Sequence, residues 1–90
     1  MTKVVVINST GGPEVLSVED QTIGSPGPGE VRIRHTAIGL NFIDTYQRSG
    51  LYPMSLPFVG GNEAAGVVTE VGEGVDYVSV GDRVCYQGVV

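Results

Sequence analysis

The stretch "GGNEAAGVVTEVGEGV", residues 60–75, decides the fold, because an apolar run stands there between two glycine-rich turns. Its central part, "AAGVVTEVG", combines small and β-branched residues and predicts a β-strand. Asn62 and Glu63 lie directly before that strand, where a polar pair can belong to a turn, a metal site or a cofactor pocket. Spacing alone favours a role in the turn.

The remaining sequence also reads as short strands joined by turns. "KVVVIN" (residues 3–8) and residues 15–20 predict two strands that pair antiparallel across the turn "STGGPE". Residues 31–40 begin with alternating apolar and basic side chains, which indicates a strand with one solvated face. "DRVCYQGVV" (residues 82–90) predicts a last strand. The 14 glycines of the chain are typical of such short strands and tight turns.

Residues 41–50, "NFIDTYQRSG", change from the strand period to the helical one. Asn41 is a favourable N-cap residue, Asp44 completes a variant of the capping box, and Gly50 predicts the end. We therefore expect one short helix over residues 42–49. Its apolar residues at helical spacing are Phe42, Ile43 and Tyr46. The following stretch, "LYPMSLPFVGG", is rich in proline and predicts an ordered loop.

The composition narrows the class of protein. At least five strands and one helix in 90 residues predict a single, mostly-β domain, a partly open β-barrel. The net charge of −5 and the scattered basic residues argue against nucleic-acid binding. No basic start is followed by a long apolar stretch, so we predict neither a signal peptide nor a membrane span. A single cysteine fits a reducing compartment, and we expect a cytoplasmic protein.

His35 and Cys85 are the single histidine and the single cysteine of the chain. His35 falls on the apolar side of its strand, which predicts a half-buried, hydrogen-bonded side chain. Cys85 lies within "RVCY", which predicts a buried and unreactive thiol. Because the two are far apart and lack paired spacing, the residues by themselves predict no zinc site. The glycines at 60–74 also lack the spacing of a dinucleotide-binding fingerprint.

Polar and aromatic residues cluster around the predicted helix. From spacing alone, the amide and carboxylate residues cap the helix or turn the chain, and the tyrosines pack against their neighbours. A functional site at the same place stays open as the alternative. The residues concerned are Asn41, Asp44, Tyr46, Tyr52, Asn62 and Glu63.

At these residues the chain resembles the amino-terminal, GroES-like domain of the medium-chain dehydrogenase/reductase superfamily. Within it, the chain is similar to the quinone oxidoreductase (zeta-crystallin-like) branch. Three stretches carry the likeness: "GGPEVL", "AIGLNFIDTYQRSGLYP", and "GNEAAGVVTEVGEGV" followed by "GDRV". The second is the most specific to quinone reductases, whereas the third is shared by the whole superfamily. Together they run from Gly11 to Val84.

The resemblance implies a protein without zinc. Zinc alcohol dehydrogenases carry the motif G-H-E-x-x-G where this chain has "GNEAAG", and Asn62 takes the place of the histidine ligand. Asn41 takes the place of their first cysteine ligand. Carboxamides are poor ligands of Zn²⁺ compared with thiolate and imidazole.

The resemblance also implies NADPH as cofactor and a small-molecule quinone or activated alkene as substrate. Asn41, Tyr46 and Tyr52 are the expected catalytic residues, since they would line the cleft where nicotinamide and substrate meet. Residues expected to contact the cofactor are Asn41, Phe42, Ile43 and Tyr46. Glu63 is expected to hold the loop and its strand, and Asn62 departs from the small hydroxyl residue expected at its position.

The family's NADPH-binding Rossmann domain follows its GroES-like domain, so residues 1–90 are expected to be the amino-terminal part of a longer protein. The apolar end "QGVV" adds to this expectation, and the end "CYQGVV" is expected to promote self-association or disorder of the isolated piece. We expect the 90 residues alone to be inactive, with negligible NADPH affinity, and the full-length protein to be a homodimer. The alternatives are an enoyl or alkenal reductase, a zinc alcohol dehydrogenase and a GroES-like assembly module without enzymatic activity.

Overall fold

The computed structural model describes residues 2–88, and within them the chain is mostly β, as predicted. A 3₁₀ turn at Pro13–Val15 precedes the second strand. The strands and the helix, in chain order, are β1 (Thr2–Ile7), β2 (Leu16–Gln21), β3 (Val31–Ile38), α1 (Phe42–Ser49), β4 (Phe58–Val59), β5 (Glu63–Val71) and β6 (Arg83–Gln87).

The chain divides into two compact units, of which the first holds residues up to 23 together with 40–62. Its sheet has the order β2-β1-β4, and β1 pairs antiparallel with both neighbours. β1 is the central strand, and its last two side chains are buried, with Val6 4% and Ile7 2% exposed. The predicted antiparallel pairing of the first two strands is confirmed, with Ile7 opposite Leu16.

The prediction of a loop over residues 51–61 was wrong at one place. Phe58 and Val59 form β4, which pairs with Ile7 and Val6 of β1. The strand is two residues long and lies at the edge of its sheet. Proline is confined to edges and strand starts, and Pro57 directly precedes this strand.

The second unit holds residues 24–39 and those from 63 onward, and its sheet has the order β3-β5-β6. β5, the strand predicted from the opening stretch, is the central strand and pairs antiparallel with both neighbours. Its alternate residues Ala64, Gly66 and Val68 are buried, and Val68 is 1% exposed. A Cβ atom at Gly66 would overlap the backbone carbonyl of Arg34, so this close approach of two strands requires glycine.

Two burial predictions in the second unit were wrong. His35 is exposed, because the alternation of β3 ends after Ile33, where the register with β5 is irregular. The predicted hydrogen bond of His35 exists, and its Nε2 lies 3.0 Å from the hydroxyl of Tyr86. Cys85 is exposed too, since the half-covered face of β6 belongs to Val84 and Tyr86.

The predicted helix is confirmed from Phe42 to Ser49, with Gly50 in the left-handed conformation at its end. Among residues 2–88, no helix is long and apolar enough to cross a membrane. The last strand was predicted over residues 82–90, and the structure places it at Arg83–Gln87. Residues 89 and 90 of that prediction, which are also the last two residues of the end expected to self-associate or be disordered, lie outside the described part of the chain.

Candidate active site

Helix α1 begins in a capping box, as predicted. Asn41 is the N-cap residue, with an extended backbone (φ −130°, ψ 159°). The backbone N–H of Asn41 donates to Oδ2 of Asp44 at 2.9 Å. The N–H of Asp44 donates in turn to the carbonyl oxygen of Asn41 at 3.0 Å. These bonds satisfy polar groups that a helix start leaves without intrahelical partners, so they define where α1 begins.

Asn62 lies against the same end of α1, although it is 18 positions from Asp44 along the chain. Its Nδ2 donates to Oδ1 of Asp44 and to Oε1 of Gln47, the latter at 3.0 Å. Asp44 and Gln47 are three residues apart and therefore share one face of the helix. We call Asn41, Asp44, Gln47 and Asn62 the amide network.

Gln47 is a member of this network that the sequence did not indicate. Its helical spacing from Asp44 was a usable signal for a shared helix face. Nothing local marked Asn62 as the residue that meets this face. The side chains of Asp44, Gln47 and Asn62 are half-buried, so water has reduced access to the bonds between them.

Tyr46 and Tyr52 form an aromatic pair at the other end of α1. Their ring centroids are 5.3 Å apart and the ring planes meet at 62°, an edge-to-face arrangement. The N–H of Tyr52 donates to the carbonyl oxygen of Tyr46 at 3.1 Å, across the turn at Gly50. Tyr46 is 37% exposed and Tyr52 is 50% exposed, so a ligand has access to both side chains.

The predicted apolar wall also lies on α1. Phe42 is 79% exposed, and Ile43 is exposed as well. Tyr46 lies two positions after Asp44, which is about 200° around a helix axis. The amide network and the tyrosine pair thus occupy different faces of one helix. The expected catalytic residues Asn41, Tyr46 and Tyr52 lie in the same unit, but they do not form one contact cluster.

Glu63 belongs to the second unit and contacts Gly39. The N–H of Gly39 donates to the carbonyl oxygen of Glu63 at 3.2 Å. A Cβ atom at Gly39 would overlap the carboxylate of Glu63, so the side chain lies over the glycine. Glu63, Cys85 and Tyr86 also line an open cleft of about 480 Å³ on this unit. None of the expected catalytic residues lines that cleft.

Within residues 2–88, no three His, Cys, Asp or Glu side chains converge as metal ligands would. At the position where zinc alcohol dehydrogenases have a histidine ligand, the Asn62 amide donates both bonds described above to the helix. An amide nitrogen that donates hydrogen bonds has no lone pair to offer a metal.

Known proteins share both this sequence and this fold. The family model of the alcohol dehydrogenase GroES-like domain matches residues 27–89. The chain is 57% identical over 77 residues to a quinone oxidoreductase of Salmonella typhimurium, covering 84% of this chain and 24% of that protein. It is 52% identical over 89 residues to a 2-haloacrylate reductase of a Burkholderia species, covering 94% of this chain and 27% of that protein.

A solved structure is also similar to this chain. The Escherichia coli quinone oxidoreductase in complex with NADPH superimposes with a TM-score of 0.96 at 46% sequence identity. The superposition covers 99% of this chain and 28% of that one. The chain thus spans about a quarter of the length of these relatives. The chain belongs to the alcohol dehydrogenase GroES-like domain family, in the quinone oxidoreductase branch of the medium-chain dehydrogenase/reductase superfamily.

Proposed function

We propose that these residues are the amino-terminal catalytic part of a zinc-free, NADPH-dependent quinone reductase. The observation that carries the proposal is helix α1, which presents the accessible tyrosine pair on one face and the amide network, with Asn41, at its start. The similarity to quinone oxidoreductases, one of them solved with NADPH, supports the assignment of substrate and cofactor. The nucleotide-binding domain is proposed to follow residue 90, since the relatives are about four times as long.

The residues of α1 fit one wall of a cleft for a nicotinamide and a flat, electron-poor substrate. When bound, NADPH supplies the hydride that reduces the substrate. The exposed ring of Phe42 and the side chain of Ile43 offer apolar contact to a planar ligand. The side-chain NH₂ of Asn41 is proposed to donate to the nicotinamide carboxamide or a quinone oxygen, while the side-chain oxygen takes part in the capping box.

The tyrosine hydroxyls are proposed to stabilise charge. As a quinone accepts a hydride, negative charge develops on its oxygen, and a phenolic O–H stabilises that oxygen by donating a hydrogen bond. Tyr46 and Tyr52 are the candidates, because both rings are partly exposed and each orients the other through the edge-to-face contact. Protonation of that oxygen, followed by enolisation at the carbon that received the hydride, completes the reduction to the hydroquinone.

The absence of zinc is part of the proposal. Asn41 and Asn62 stand where zinc-dependent relatives have ligands, and both belong to the hydrogen-bonded amide network. Metal analysis of the full-length protein is expected to find less than one zinc per ten chains. Stoichiometric zinc that is required for activity would contradict this part of the proposal.

An activated alkene is the second candidate substrate, because the chain is 52% identical to a 2-haloacrylate reductase. Quinones and conjugated alkenes both accept a hydride at a carbon conjugated to an oxygen, so the same tyrosines serve either reaction. The full-length protein should therefore be assayed with NADPH against quinones, enones and 2-haloacrylates. We expect quinones to give the highest kcat/KM, and a higher value for an alkene would replace the first candidate by the second.

Residues 1–90 by themselves provide the matched control. We expect no NADPH oxidation by the isolated chain and no heat of NADPH binding in calorimetry. A cytoplasmic homodimer is proposed for the full-length protein on the strength of the resemblance, and sedimentation tests the dimer. If the full-length protein oxidises NADPH with none of these acceptors, the chain is to be regarded as a GroES-like assembly module instead.

A further inference from the structure

We propose that Asn62 is a positioning residue, which sets the start of α1 and thereby the place of Asn41 in the reaction. The inference rests on the proposed function, because it assigns Asn62 a part in the reaction that Asn41 is proposed to assist. It gives the Asn62 side chain a task in this chain. The task is to hold the helix by hydrogen bonds.

Helix α1 depends on such bonds because it has no buried residue. An eight-residue helix is not stable alone in water, and most protein helices are held by packing of an apolar face. At the carboxyl end of α1, the carbonyl oxygen of Arg48 accepts from the N–H of Gly11 at 3.0 Å, and Nε of Arg48 donates to the carbonyl oxygen of Gly11 at 3.2 Å. At the amino end, Asn62 supplies the corresponding attachment.

The chemistry of the amide suits this attachment. Nδ2 of asparagine carries two hydrogens, and each one has an acceptor here, on Asp44 and on Gln47. Serine offers one donor and aspartate offers none, so neither residue reproduces both bonds. The two acceptors share one helix face, and the bonds therefore fix the rotation of the helix as well as its distance.

Asp44 transmits the attachment to Asn41. Its Oδ1 accepts from Asn62, whereas its Oδ2 accepts from the backbone N–H of Asn41 at 2.9 Å. One carboxylate thus joins the residue before β5 to the residue that begins the helix. A shift of Asp44 moves the backbone of Asn41 with it.

Asn62 itself is attached to the sheet of the first unit. The N–H of Gly60, two residues earlier, donates to the carbonyl oxygen of Val5 at 3.1 Å. Val5 lies in β1, the central strand of that sheet, next to the buried Val6. Asn62 therefore links the position of Asn41 to the sheet.

A double-mutant cycle in the full-length protein tests the inference. The variants are Asn62→Ala, Asn41→Ala and the two combined, with kcat/KM for the quinone as readout. We expect Asn62→Ala to lower kcat/KM about tenfold in the wild-type background and less than about twofold when Asn41 is already alanine. Equal losses in both backgrounds would overturn the inference, since Asn62 would then act independently of Asn41.

The chain offers a matched control in Asn8, whose Nδ2 donates to a carboxylate oxygen of Glu19 at 3.0 Å on the exposed surface. We expect Asn8→Ala to leave kcat/KM unchanged. If Asn62→Ala does not fold, Gln47→Ala removes one acceptor and leaves Asn62 in place. Its loss is expected to be smaller than tenfold and to vanish in the Asn41→Ala background, and a loss that persists there would count against the inference.

Hydrogen exchange separates this inference from the proposed function. We expect the N–H of Asn41 to exchange at least about tenfold faster in Asn62→Ala than in wild type, and at the wild-type rate in Asn8→Ala. An inactive wild-type protein would overturn the proposed function and the catalytic part of this inference together. An active wild type with unchanged exchange in Asn62→Ala would overturn the inference alone.

Discussion

The ring of Tyr46 meets the ring of Tyr52 edge to face, with centroids 5.3 Å apart and an angle of 62° between the planes. A backbone hydrogen bond of 3.1 Å joins the same two residues. The turn at Gly50, with φ 90°, brings the second tyrosine back over the end of the helix. The pair is therefore expected to have two functions: the rings stabilise the turn, and the partly exposed side chains are the proposed contacts of a ligand.

Phenylalanine and alanine substitutions are expected to separate these two functions. Tyr52→Phe keeps the ring contact, so the free energy of unfolding should stay within about 0.5 kcal/mol of wild type. Tyr52→Ala removes the contact and should cost about 0.5–1.5 kcal/mol beyond the loss of buried area. Denaturant unfolding measures both values, and equal losses for the two variants would contradict a stabilising ring pair.

The activity of the phenylalanine variants identifies the hydroxyl that donates. We expect Tyr46→Phe or Tyr52→Phe to lower kcat of the full-length protein about 10²-fold, as removal of an oxyanion donor does. The variant of the other tyrosine should retain most of its kcat. Two fully active phenylalanine variants would exclude both hydroxyls from the reaction.

Loss of the capping box is expected to destabilise α1. Asp44→Ala removes the acceptor of the Asn41 N–H and one acceptor of Asn62, and should lower the free energy of unfolding by about 1–2 kcal/mol. Asp20→Ala is the matched control, because the carboxylate of Asp20 forms an exposed ion pair with Lys3 at 3.1 Å. We expect no measurable change for that control. Similar losses for the two variants in urea unfolding would contradict the structural role of Asp44.

Gly66 is expected to tolerate no side chain. In Gly66→Ala the new methyl group would overlap the backbone carbonyl of Arg34 and approach Cγ2 of Ile33 to 2.8 Å. Since backbone cannot move aside cheaply in a central strand, the cost should reach about 1–3 kcal/mol or more. Gly24→Ala is the control, because nothing lies within 4 Å of a Cβ atom there. The difference between the two thermal midpoints measures the effect, and its absence would contradict the close approach of β3 and β5.

The thiol of Cys85 is expected to react in the native protein. Its exposure predicts complete modification by a thiol reagent without denaturant. Cys85→Ser should change the free energy of unfolding by less than about 0.5 kcal/mol, since an exposed side chain contributes little packing. A thiol that reacts only after unfolding would support the sequence-based prediction that Cys85 is buried.

Local signals explain why the helix was predicted to the residue. Asn41, Asp44 and Gly50 mark its two ends through bonds and angles that involve only neighbours in sequence. The central strand β5 was predictable for a similar reason, because its apolar run is bounded by glycine-rich turns. In both elements, the information lies within about ten consecutive residues.

Such local signals did not predict which side chains are exposed or which strands pair. Phe58 and Val59 become a strand because β1 offers them a partner, and no local pattern announces that partner. Cys85 lies in an apolar run and His35 on the apolar side of the alternation in its strand, yet the register of β6 and the irregularity in β3 leave both exposed. Register depends on the neighbouring strand of the sheet, which is distant in sequence.

The candidate site divides in the same way. The sequence determined its residue types and, through the family resemblance, named Asn41, Tyr46 and Tyr52, whose catalytic roles stay predictions. Only the tertiary structure decided that Asn62 turns its amide toward Asp44 and Gln47 instead of simply ending a turn. The physical reason is that a hydrogen bond requires its two atoms within about 3 Å of each other, and folding alone brings residues that far apart in the chain to that distance.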